Sequence, residues 1–505
     1  MKISNLLVLY DKNDSEIFLN SSIKVEKILT LTPDSFLMLF PKHKNILRSL
    51  DLFTDLDHKL VIEKVRDLES TEAYINLLDS LKKDSVKEVF KSKLHIFLNM
   101  FERLNQTIPL AQEYVLISNS HIKYCKSKND FLIKLISKII FENGYLQTNI
   151  KYSAYSVLIK IINKVSLRLI SDFQVIIYSG NHYGLPALLD EYNKYDSNIL
   201  FVRFRGSKNN IRDLVSSLQT LFKIILRQKK LVFTVVPKKI DYEEFSDVIG
   251  KIANSNNLKD ILNVYEKPLM MHLAITHGLY LEFLILLKKI KPKLFIAHEM
   301  KSNLNSSLAE SANHLNVDSY LISHGTHVQS KLNPQCNYEQ KEMATGVLAS
   351  KLSKYNIVQS SIAKDAMRSF FPLLKFIQYK PIMWGNIGNN FIHSFNNNNN
   401  TFKILHASTF KAIPATRPWI FETSDEFYEG IKDLIDVVSE IENIHLTIRM
   451  RNIPECSLKW IVELASTSAN VQIKSDGTFI EDLLASDLLI SNSSTTVEEA
   501  LTLDK

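Results

Sequence analysis

Glycine and cysteine are both scarce in this chain. It has 12 glycines in 505 residues, about a third of the usual ~7%, and three cysteines, Cys125, Cys336 and Cys456, with no C-x-x-C pair. The wide cysteine spacing implies neither a disulfide framework nor a thiolate zinc site, and it indicates a reducing compartment. The motifs G-x-x-x-x-G-K-[ST] and G-x-G-x-x-G are also missing. An ATPase and a Rossmann dehydrogenase therefore lose their main support.

The chain also has only a small excess of positive charge and few long apolar runs. Lysine plus arginine (61) exceeds aspartate plus glutamate (54) by only 7, too thin an excess for a dedicated nucleic-acid binder but compatible with anionic ligands or a membrane surface. The apolar stretch 279–287 is too short to span a membrane, and Asp11, Lys12 and Asp14 interrupt the N-terminal apolar patch. We expect a cytoplasmic protein, with peripheral association at the inner face of the membrane left open.

Short apolar runs alternate with longer helix-periodic stretches along most of the chain, which is typical of parallel βαβ units. Residues around 55–105 are charged and helix-periodic without a convincing strand, so they predict helices beside or inserted in the sheet. We expect strands at Asn5–Tyr10, Tyr114–Ser118, Gln174–Tyr178, Ile199–Arg203, Leu231–Val236, Leu294–Ala297, Ser319–Ser323, Tyr355–Val358, Lys403–Ala407, His445–Met450, Val471–Ile473 and Leu488–Ser491. We expect helices between the last four strands at Ser424–Ile441, Ser457–Ala465 and Thr478–Ala485.

A run of five asparagines, Asn396–Asn400, interrupts this alternation. Such a run can build no core and hold no regular strand, so it indicates a linker, or alternatively an ordinary loop within one domain. We expect an α/β fold of two Rossmann-like doubly wound domains, residues 1–385 and 403–505, joined by a polar linker at 386–402. Ligands would bind between the carboxyl ends of the two sheets. The second series stops where another buried strand is due, so we expect this domain to be incomplete.

The segment Asp487–Leu501, DLLISNSSTTVEEAL, combines a buried strand, a hydroxyl-rich turn and a helix start. At a helix N-terminus, Ser493, Ser494 and Thr495 would offer backbone N–H groups, hydroxyl donors and the positive end of the helix dipole, which suits a diphosphate. Glu498 and Glu499 follow within a turn and can accept hydrogen bonds from ribose hydroxyls. The alternative is a Ser/Thr N-cap with acidic first-turn residues, which stabilises many helices.

The string SDLLISNSSTTVEEALTLDK resembles the donor-nucleotide loop of GT-B glycosyltransferases of surface and capsular polysaccharide biosynthesis, and that of the related UDP-N-acetylglucosamine 2-epimerases. The resemblance implies that Ser493, Ser494 and Thr495 contact the phosphates and that Glu499 holds the ribose. Glycine is usual where Asp504 stands, and a proline with a hydrophobic strand usually follows the position of Lys505. The second departure is what favours an incomplete domain.

Two further segments fit the same family in order. Lys403–Phe410, KILHASTF, is similar to the first strand and turn of the donor domain, which implies donor contacts for Ser408 and Thr409. His445–Pro454 stands where many relatives have a strand that ends in a basic residue and His-Pro. Arg449 and Arg451 keep the basic character, and a planar guanidinium suits phosphate, but the His-Pro dipeptide is missing. Solvated strand-end charges are the alternative for both arginines.

The first domain contains a strand, a helix and a strand that runs into His324-Gly-Thr-His327. This unit resembles one in surface-polysaccharide glycosyltransferases and CDP-glycerol phosphotransferases, which carry a functional histidine at the turn. An imidazole can take a proton from an attacking acceptor hydroxyl, and Gly325 lets substrate approach the backbone. A turn histidine bound to backbone carbonyls is the alternative. The resemblance implies the catalytic residues His324 and Glu299 and the acceptor contacts His298, Gly325 and Thr326.

Three other patterns are weaker. The loop Gly180–Gly184 follows a strand and offers His182 as an acceptor contact, with a plain turn as the equal alternative. A metal set of His324, His327, His298 and Glu299 is disfavoured because the spacing lacks a second helical histidine pair and because GT-B transferases need no metal. Asp55-Leu-Asp57 is interpreted as a helix cap. We therefore expect no metal and no cofactor.

The sequence as a whole predicts a metal-independent glycosyltransferase with a histidine base. It would move a sugar from a nucleotide-sugar donor to a cell-surface glycan or a lipid-linked acceptor, without binding nucleic acid. The resemblance covers roughly residues 290–505, and the first 170 residues match no named family. Three alternatives stay open: a sugar-nucleotide 2-epimerase, a CDP-glycerol-type transferase, and a non-catalytic glycan-binding protein on a decayed transferase fold.

Overall fold

The computed structural model describes residues 3–40, 42–52, 55–118, 121–142, 154–170, 173, 175–178, 198–204, 210–240, 259–323, 325, 334–379, 401–407, 423–450, 457–491 and 496–503. Within them the protein is a mixed α/β structure with three sheets, built almost entirely from parallel strands. The expected α/β class is confirmed at this level. The two-domain arrangement and the incomplete second domain stay predictions.

The described strands are Ile3–Leu9 (β1), Lys27–Thr30 (β2), Ile46–Arg48 (β3), Ala111–Ser118 (β4), His121–Cys125 (β5), Val175–Tyr178 (β6), Ile199–Phe204 (β7), Lys230–Val235 (β8), Leu294–Ala297 (β9), Asp318–Ile322 (β10), Tyr355–Val358 (β11), Phe376–Gln378 (β12), Phe402–His406 (β13), Ile444–Arg449 (β14), Val471–Lys474 (β15) and Leu488–Ile490 (β16). The described α-helices are Lys12–Leu19 (α1), Pro33–Leu39 (α2), Asp55–Glu69 (α3), Glu72–Ser80 (α4), Asp84–Thr107 (α5), Lys128–Glu142 (α6), Ala154–Leu169 (α7), Asn210–Ile225 (α8), Lys259–Ile290 (α9), Asn303–His314 (α10), Pro334–Ala344 (α11), Ser361–Phe370 (α12), Ser424–Ser439 (α13), Leu458–Ala465 (α14), Phe479–Leu484 (α15) and Thr496–Thr502 (α16).

The chain folds as two compact units. Unit 1 comprises Met1–Val65, Ile96–Tyr145 and Asn386–Lys505, and unit 2 comprises Arg66–His95 and Leu146–Gly385. One division, between residues 385 and 386, coincides with the expected start of the polar linker. The first 65 residues, however, belong with the C-terminal segment, which no sequence pattern indicated. The assignment of residues 1–385 to an acceptor and 403–505 to a donor stays a prediction.

Buried polar contacts hold the distant segments of unit 1 together. Asp34 accepts a hydrogen bond from the backbone N–H of Ser457, with 2.8 Å between Oδ1 and N. The hydroxyl of Ser49 donates to the carboxylate of Asp425 at 2.6 Å. Each contact joins residues that are more than 370 positions apart. Such pairings lie beyond any local pattern, because strand and helix periodicity reports only neighbours in sequence.

Unit 2 is built on a seven-stranded parallel sheet in the order β12-β11-β10-β9-β6-β7-β8. The strands are short apolar runs, as expected of strands covered on both faces. Leu200 and Phe295 pack on one face with α9 and α10, and Ile199 and Ile296 lie in a second cluster of buried strand residues. The strand order reverses between β6 and β9, so this is the topological switch point where doubly wound sheets bind ligands.

Unit 1 contains two sheets. The first has the order β3-β2-β1-β4-β5, in which only β5 is antiparallel. The second, β15-β14-β13-β16, is fully parallel. Ile404 packs with α13 and α14 on one face of the second sheet, and Leu405 packs with α15 and α16 on the other. The order of the second sheet reverses between β13 and β16, which makes this pair its switch point.

All twelve expected strands are confirmed, with ends that differ by at most three residues, and so are the three expected helices after residue 423. The charged stretch near 55–105 forms α3, α4 and α5, as expected. The sequence pattern did not predict β2, β3, β5 and β12. These strands are three to five residues long, and three of them, β3, β5 and β12, lie at sheet edges where a weak apolar pattern suffices. Asn396–Asn400 lies outside the described residues.

One stretch of the described helices, Glu266–Ile290 within α9, is long and apolar enough to span a membrane by length and composition. Here it belongs to the core of unit 2. Leu273, Leu279 and Phe283 are fully buried, and α9 packs against α10. Its apolar character is therefore accounted for by a position inside the protein.

Candidate functional site

The carboxyl edge of the four-stranded sheet is the first candidate site. The segments that follow β13 and β16 leave adjacent strands at the switch point, because His406 pairs with Ile490. These segments contain five residues predicted to bind the donor: Ser408, Thr409, Ser493, Ser494 and Thr495. All five lie outside the described residues, as does Arg451. What the structure describes is the frame from which both segments start.

Hydrogen bonds hold that frame together. The backbone N–H of Ala407 donates to the carbonyl of Ile490 at 2.9 Å. The hydroxyl of Ser491 donates to the carbonyl of Ala407 at 2.9 Å and lies 2.8 Å from the hydroxyl of Thr496. We call Ala407, Ser491 and Thr496 the hydroxyl clasp. It fixes Ser491 and Thr496, the described residues on either side of positions 492–495, and it fixes Ala407, which follows β13. The sequence pattern assigned the neighbouring hydroxyls to the ligand and did not indicate the clasp.

His406, the last residue of β13, is a second residue that sequence analysis missed. Its side chain is buried and only 8% exposed, and burial lowers its pKa to about 4. Among the described residues, its Nδ1 has no hydrogen-bond partner. The imidazole is therefore neutral at physiological pH, with one ring nitrogen available beside the switch point. A histidine directly after the buried apolar pair Ile404-Leu405, at the end of the strand, was the signal that could have identified it.

Arg449 is the last residue of β14, and its side chain contacts α15 and the turn that precedes it. Its guanidinium donates to the carbonyls of Asp476 at 2.9 Å and Gly477 at 2.6 Å. It also pairs with the carboxylate of Asp482, which Lys474 contacts as well. These contacts fix the turn between β15 and α15. A guanidinium has five N–H donors, and these contacts already use several of them. The predicted phosphate contact of Arg449 would have to use the remaining donors.

Glu499 lies in the first turn of α16 and is half-buried, next to Glu498. Its predicted role is to hold the ribose. The helix begins at Thr496, one residue after the predicted phosphate-binding turn. The described geometry therefore places Glu499 one turn from the hydroxyl clasp, on the element that the clasp anchors.

The carboxyl edge of the seven-stranded sheet is the second candidate site. His298 and Glu299 directly follow β9, the strand at the switch point. The carboxylate of Glu299 accepts hydrogen bonds from the backbone N–H groups of Lys301 (2.7 Å) and Ser302 (2.9 Å). It accepts a third from the side-chain amide of Asn305 at 2.7 Å. Glu299 thus holds the turn that leads into α10, and its oxygens are committed to this turn.

The other predicted residues of this edge are only partly described. His298 is half-buried at the end of β9, and Gly325 lies just after β10. His182, His324 and Thr326 lie outside the described residues. The strands that precede these positions, β6, β9 and β10, are adjacent in the sheet. Their loops therefore leave the same edge, as parallel strands require.

A buried charged network joins three helices that include residues of unit 2, and no sequence pattern indicated it. His95 on α5 contacts two carboxylates: Nδ1 is 2.9 Å from Glu69 and Nε2 is 3.1 Å from Glu339. Tyr338, next to Glu339 on α11, donates to Glu69. Burial opposes the charged ring, but the hydrogen bonds and charges of Glu339 and Glu69 outweigh it and raise the pKa of His95 to about 10. His95 is therefore a buried imidazolium that joins α3, α5 and α11.

Helix α11 is also held near its C-terminal end. Lys91 pairs with Glu342 at 2.8 Å, and Lys301 donates to the carbonyls of Glu342 and Met343 at 3.0 Å each. Burial lowers the pKa of Lys301 to about 8, against the raising effect of Glu342, Glu88 and Glu299. This network therefore fixes α11, the next described helix after the predicted H-G-T-H turn.

Glu69, His95 and Glu342 bring their ligand atoms within 4.8 Å of one another, a spacing that a metal ion could use. The donors are already engaged, however. Both ring nitrogens of His95 contact carboxylates, and an ammonium group occupies Glu342. When His95 is protonated, it forms ion pairs with Glu69 and Glu339, and Lys91 forms an ion pair with Glu342. The arrangement fits an ion network better than a metal centre.

No protein-family model and no curated protein matches this chain. Among solved structures, it is similar to UDP-N-acetylglucosamine 2-epimerase from Rickettsia bellii, with a TM-score of 0.35 and 13% sequence identity over 65% of this chain and 76% of that chain. A likeness of this degree does not assign an activity.

Proposed function

We propose that the protein is a nucleotide-sugar-dependent glycosyltransferase whose donor binds at the carboxyl edge of the four-stranded sheet. The observation that carries the proposal is the strand order β15-β14-β13-β16. It makes β13 and β16 the switch-point pair, and the two segments that resemble GT-B donor loops follow these two strands. Doubly wound sheets bind nucleotides at such a point because the loops on either side diverge and leave a crevice.

In this proposal the hydroxyl clasp positions two polar segments for a diphosphate. Ser408 and Thr409 come from one segment, and Ser493, Ser494 and Thr495 come from the other. The hydroxyl and backbone N–H donors of these residues stabilise the negative charge that develops on the departing diphosphate, with Arg449 and Arg451 as the cationic residues of the same edge. Glu499 accepts hydrogen bonds from the ribose. No metal is required for this stabilisation.

The acceptor is assigned to the edge of the seven-stranded sheet. His324 takes the proton of an acceptor hydroxyl as its oxygen bonds to the anomeric carbon of the sugar. The bond from that carbon to the diphosphate oxygen breaks, and the nucleoside diphosphate leaves with the electron pair. His182, His298, Gly325 and Thr326 contact the acceptor. Glu299 serves this site by holding the turn after His298, which is the role its three hydrogen bonds support.

Nucleotide binding tests the donor site. UDP, GDP, CMP and CDP are titrated into the full chain by calorimetry, and we expect one of them to bind. Ser494→Asp places a negative charge where the diphosphate would lie and should abolish binding, whereas Ser22→Asp, a change at an exposed position of the same unit, should not. Failure of all four nucleotides to bind, or equal affinity in both variants, would remove the donor assignment.

Product analysis then separates the enzyme classes. Sugar transfer to an acceptor supports the proposal, and His324→Ala should reduce turnover by about 10²–10⁴-fold with little change in nucleotide affinity. An epimerised sugar nucleotide would identify a 2-epimerase instead, and consumption of CDP-glycerol would identify a glycerophosphate transferase. Binding without turnover of any substrate would identify a non-catalytic protein.

A further inference from the structure

Two neighbouring helices of unit 2, α7 and α8, expose apolar side chains. On α8 the exposed fractions of Ile211, Val215, Leu218, Phe222 and Ile225 lie between 45% and 65%. Their spacing of three or four residues places all five on one stripe of the helix. A soluble helix normally turns such a stripe toward the core, so α8 has the opposite orientation.

Polar contacts on the other side fix this orientation. Asp213, Ser217 and Thr220 are buried on the face of α8 that meets the sheet. Asp213 pairs with Arg203 of β7 at 3.2 Å, and the hydroxyl of Thr220 donates to the carbonyl of Val232 in β8 at 2.5 Å. Rotation of α8 about its axis would break these contacts and bury cationic side chains. The polar contacts therefore hold the apolar stripe on the outer side of the helix.

Helix α7 extends the same surface. Leu158, Ile161, Val165 and Leu169 are 41–55% exposed and follow one another at helical spacing. On the opposite side the amide of Asn163 donates to the carbonyl of Thr234 at 2.8 Å. The two helices pack against each other. We call their exposed apolar residues the α7–α8 face; contiguous apolar surface of this kind marks an interaction site on a soluble protein.

The charges that α7, α8 and the segment after α8 carry are almost all positive, although Lys160 pairs with Glu282 of α9. Residues 154–170 and 210–231 contain eight lysines and arginines and one acidic residue, Asp213. That carboxylate is buried against Arg203 and does not contribute to the surface. The exposed cationic residues include Lys164, Arg168, Arg212, Lys223 and Arg227.

A cavity of about 600 Å³ lies at the C-terminal ends of the two helices. Leu169 and Ile225 belong both to the α7–α8 face and to the lining of the cavity, which also includes Phe173, Leu231 and Arg227. The α7–α8 face therefore continues into a recess of mixed character, in which Asn198, Arg227 and Gln228 lie beside the apolar side chains. This combination suits an amphiphile with an acyl chain and a negative headgroup.

We infer that the α7–α8 face docks on the surface of an anionic lipid bilayer. A bilayer of this kind offers an apolar layer under a negatively charged surface, which matches an apolar stripe with a basic border. A second copy of this chain fits less well, because a symmetric interface would set the basic borders against one another. The inference does not depend on the nucleotide site, since either can fail without the other.

Vesicle sedimentation with the full chain tests this inference. We expect binding to vesicles of phosphatidylcholine mixed with phosphatidylglycerol and much weaker binding to phosphatidylcholine alone. Raising the salt from about 0.1 M to about 1 M should release the protein, because the Debye length falls from ~10 Å to ~3 Å. Binding that ignores lipid charge and salt would contradict the inference.

Two double variants separate the apolar and the cationic contributions. Leu218→Gln/Phe222→Gln should weaken partitioning by at least about tenfold, and Arg212→Gln/Lys223→Gln by about fivefold for each charge removed. Ile362→Gln/Leu373→Gln is the control, because it removes two exposed apolar side chains elsewhere in unit 2 and should leave partitioning unchanged. Circular dichroism melts check that every variant is folded.

Two results would overturn the inference. One is the absence of binding to anionic vesicles at low salt by the folded wild-type protein. The other is a dimer in light scattering that dissociates in Leu218→Gln/Phe222→Gln but not in the control, together with no vesicle binding. That second result would assign the α7–α8 face to contact between copies of this chain.

Discussion

Unit 2 departs in two places from the usual distribution of polar and apolar residues. In one place charged groups are buried, and in the other apolar side chains are exposed; they differ in whether the fold itself supplies the partner that offsets the cost. The network of Glu69, His95 and Glu339 buries charge, but each group meets an opposite charge within the fold. The α7–α8 face exposes apolar side chains that the described part of the chain leaves accessible. The first departure is balanced internally and stabilises the protein; the second is balanced only by a partner.

The sharpest way to test the internal balance is His95→Ala. Removing the imidazolium leaves two carboxylates buried without their cation, which should lower the free energy of unfolding by about 3–5 kcal/mol. Urea denaturation measures this change. His121→Ala, on an exposed position of edge strand β5, should change it by less than about 0.5 kcal/mol. An equally small effect in His95→Ala would show that the network contributes little to stability.

The same residue should make stability depend on pH. The pKa of His95 is about 10 in the folded protein, above its ordinary value of 6.5. Below pH 6.5 the ring is protonated in both states and its contribution is complete. Between about pH 6.5 and 10 only the folded protein retains the proton, so the free energy of unfolding should fall as pH rises. Urea midpoints across this range should show the decrease, and His95→Ala should show less of it.

An intermediate effect is expected for the buried face of α8. Thr220→Val keeps the side-chain shape but removes the hydroxyl that donates to the carbonyl of Val232, so the free energy of unfolding should fall by about 1–3 kcal/mol. Thr467→Val, an exposed threonine in the turn after α14, is the matched control and should be near neutral. A neutral Thr220→Val would mean that the polar contacts do not fix the orientation of α8.

The smallest effect on stability is expected on the apolar side of the same helix. Phe222 is 62% exposed, so Phe222→Gln should change the free energy of unfolding by less than about 0.5 kcal/mol. Thermal melts measure this change, while vesicle binding of the same variant should decrease. A loss of more than 1 kcal/mol would show that Phe222 packs within the fold, and the contrast with the charged network would then disappear.

The candidate site was predictable in part. Apolar runs with helical stretches between them predicted β13 and β16, because strand periodicity is a local property. The hydroxyl clasp was not predictable, because it forms only if β13 and β16 are neighbours in the sheet. Its residues Ala407 and Ser491 are 84 positions apart in sequence. The role of Glu299 was equally hidden: a glutamate at a strand end looks the same in sequence whether it faces a substrate or holds the next turn.

The sequence by itself determined the α/β class, the positions of the longer strands and helices, and the hydroxyl-rich segments that resemble a donor loop. These follow from periodicity and local chemistry, which each segment carries alone. Only the tertiary structure decided the strand order, the grouping of residues 1–65 with the C-terminal segment, the pairing of His95 with two carboxylates, and the outward orientation of α8. Each of these is a choice among partners distant in sequence, and the free energy that decides it comes from burial and pairing in the assembled protein.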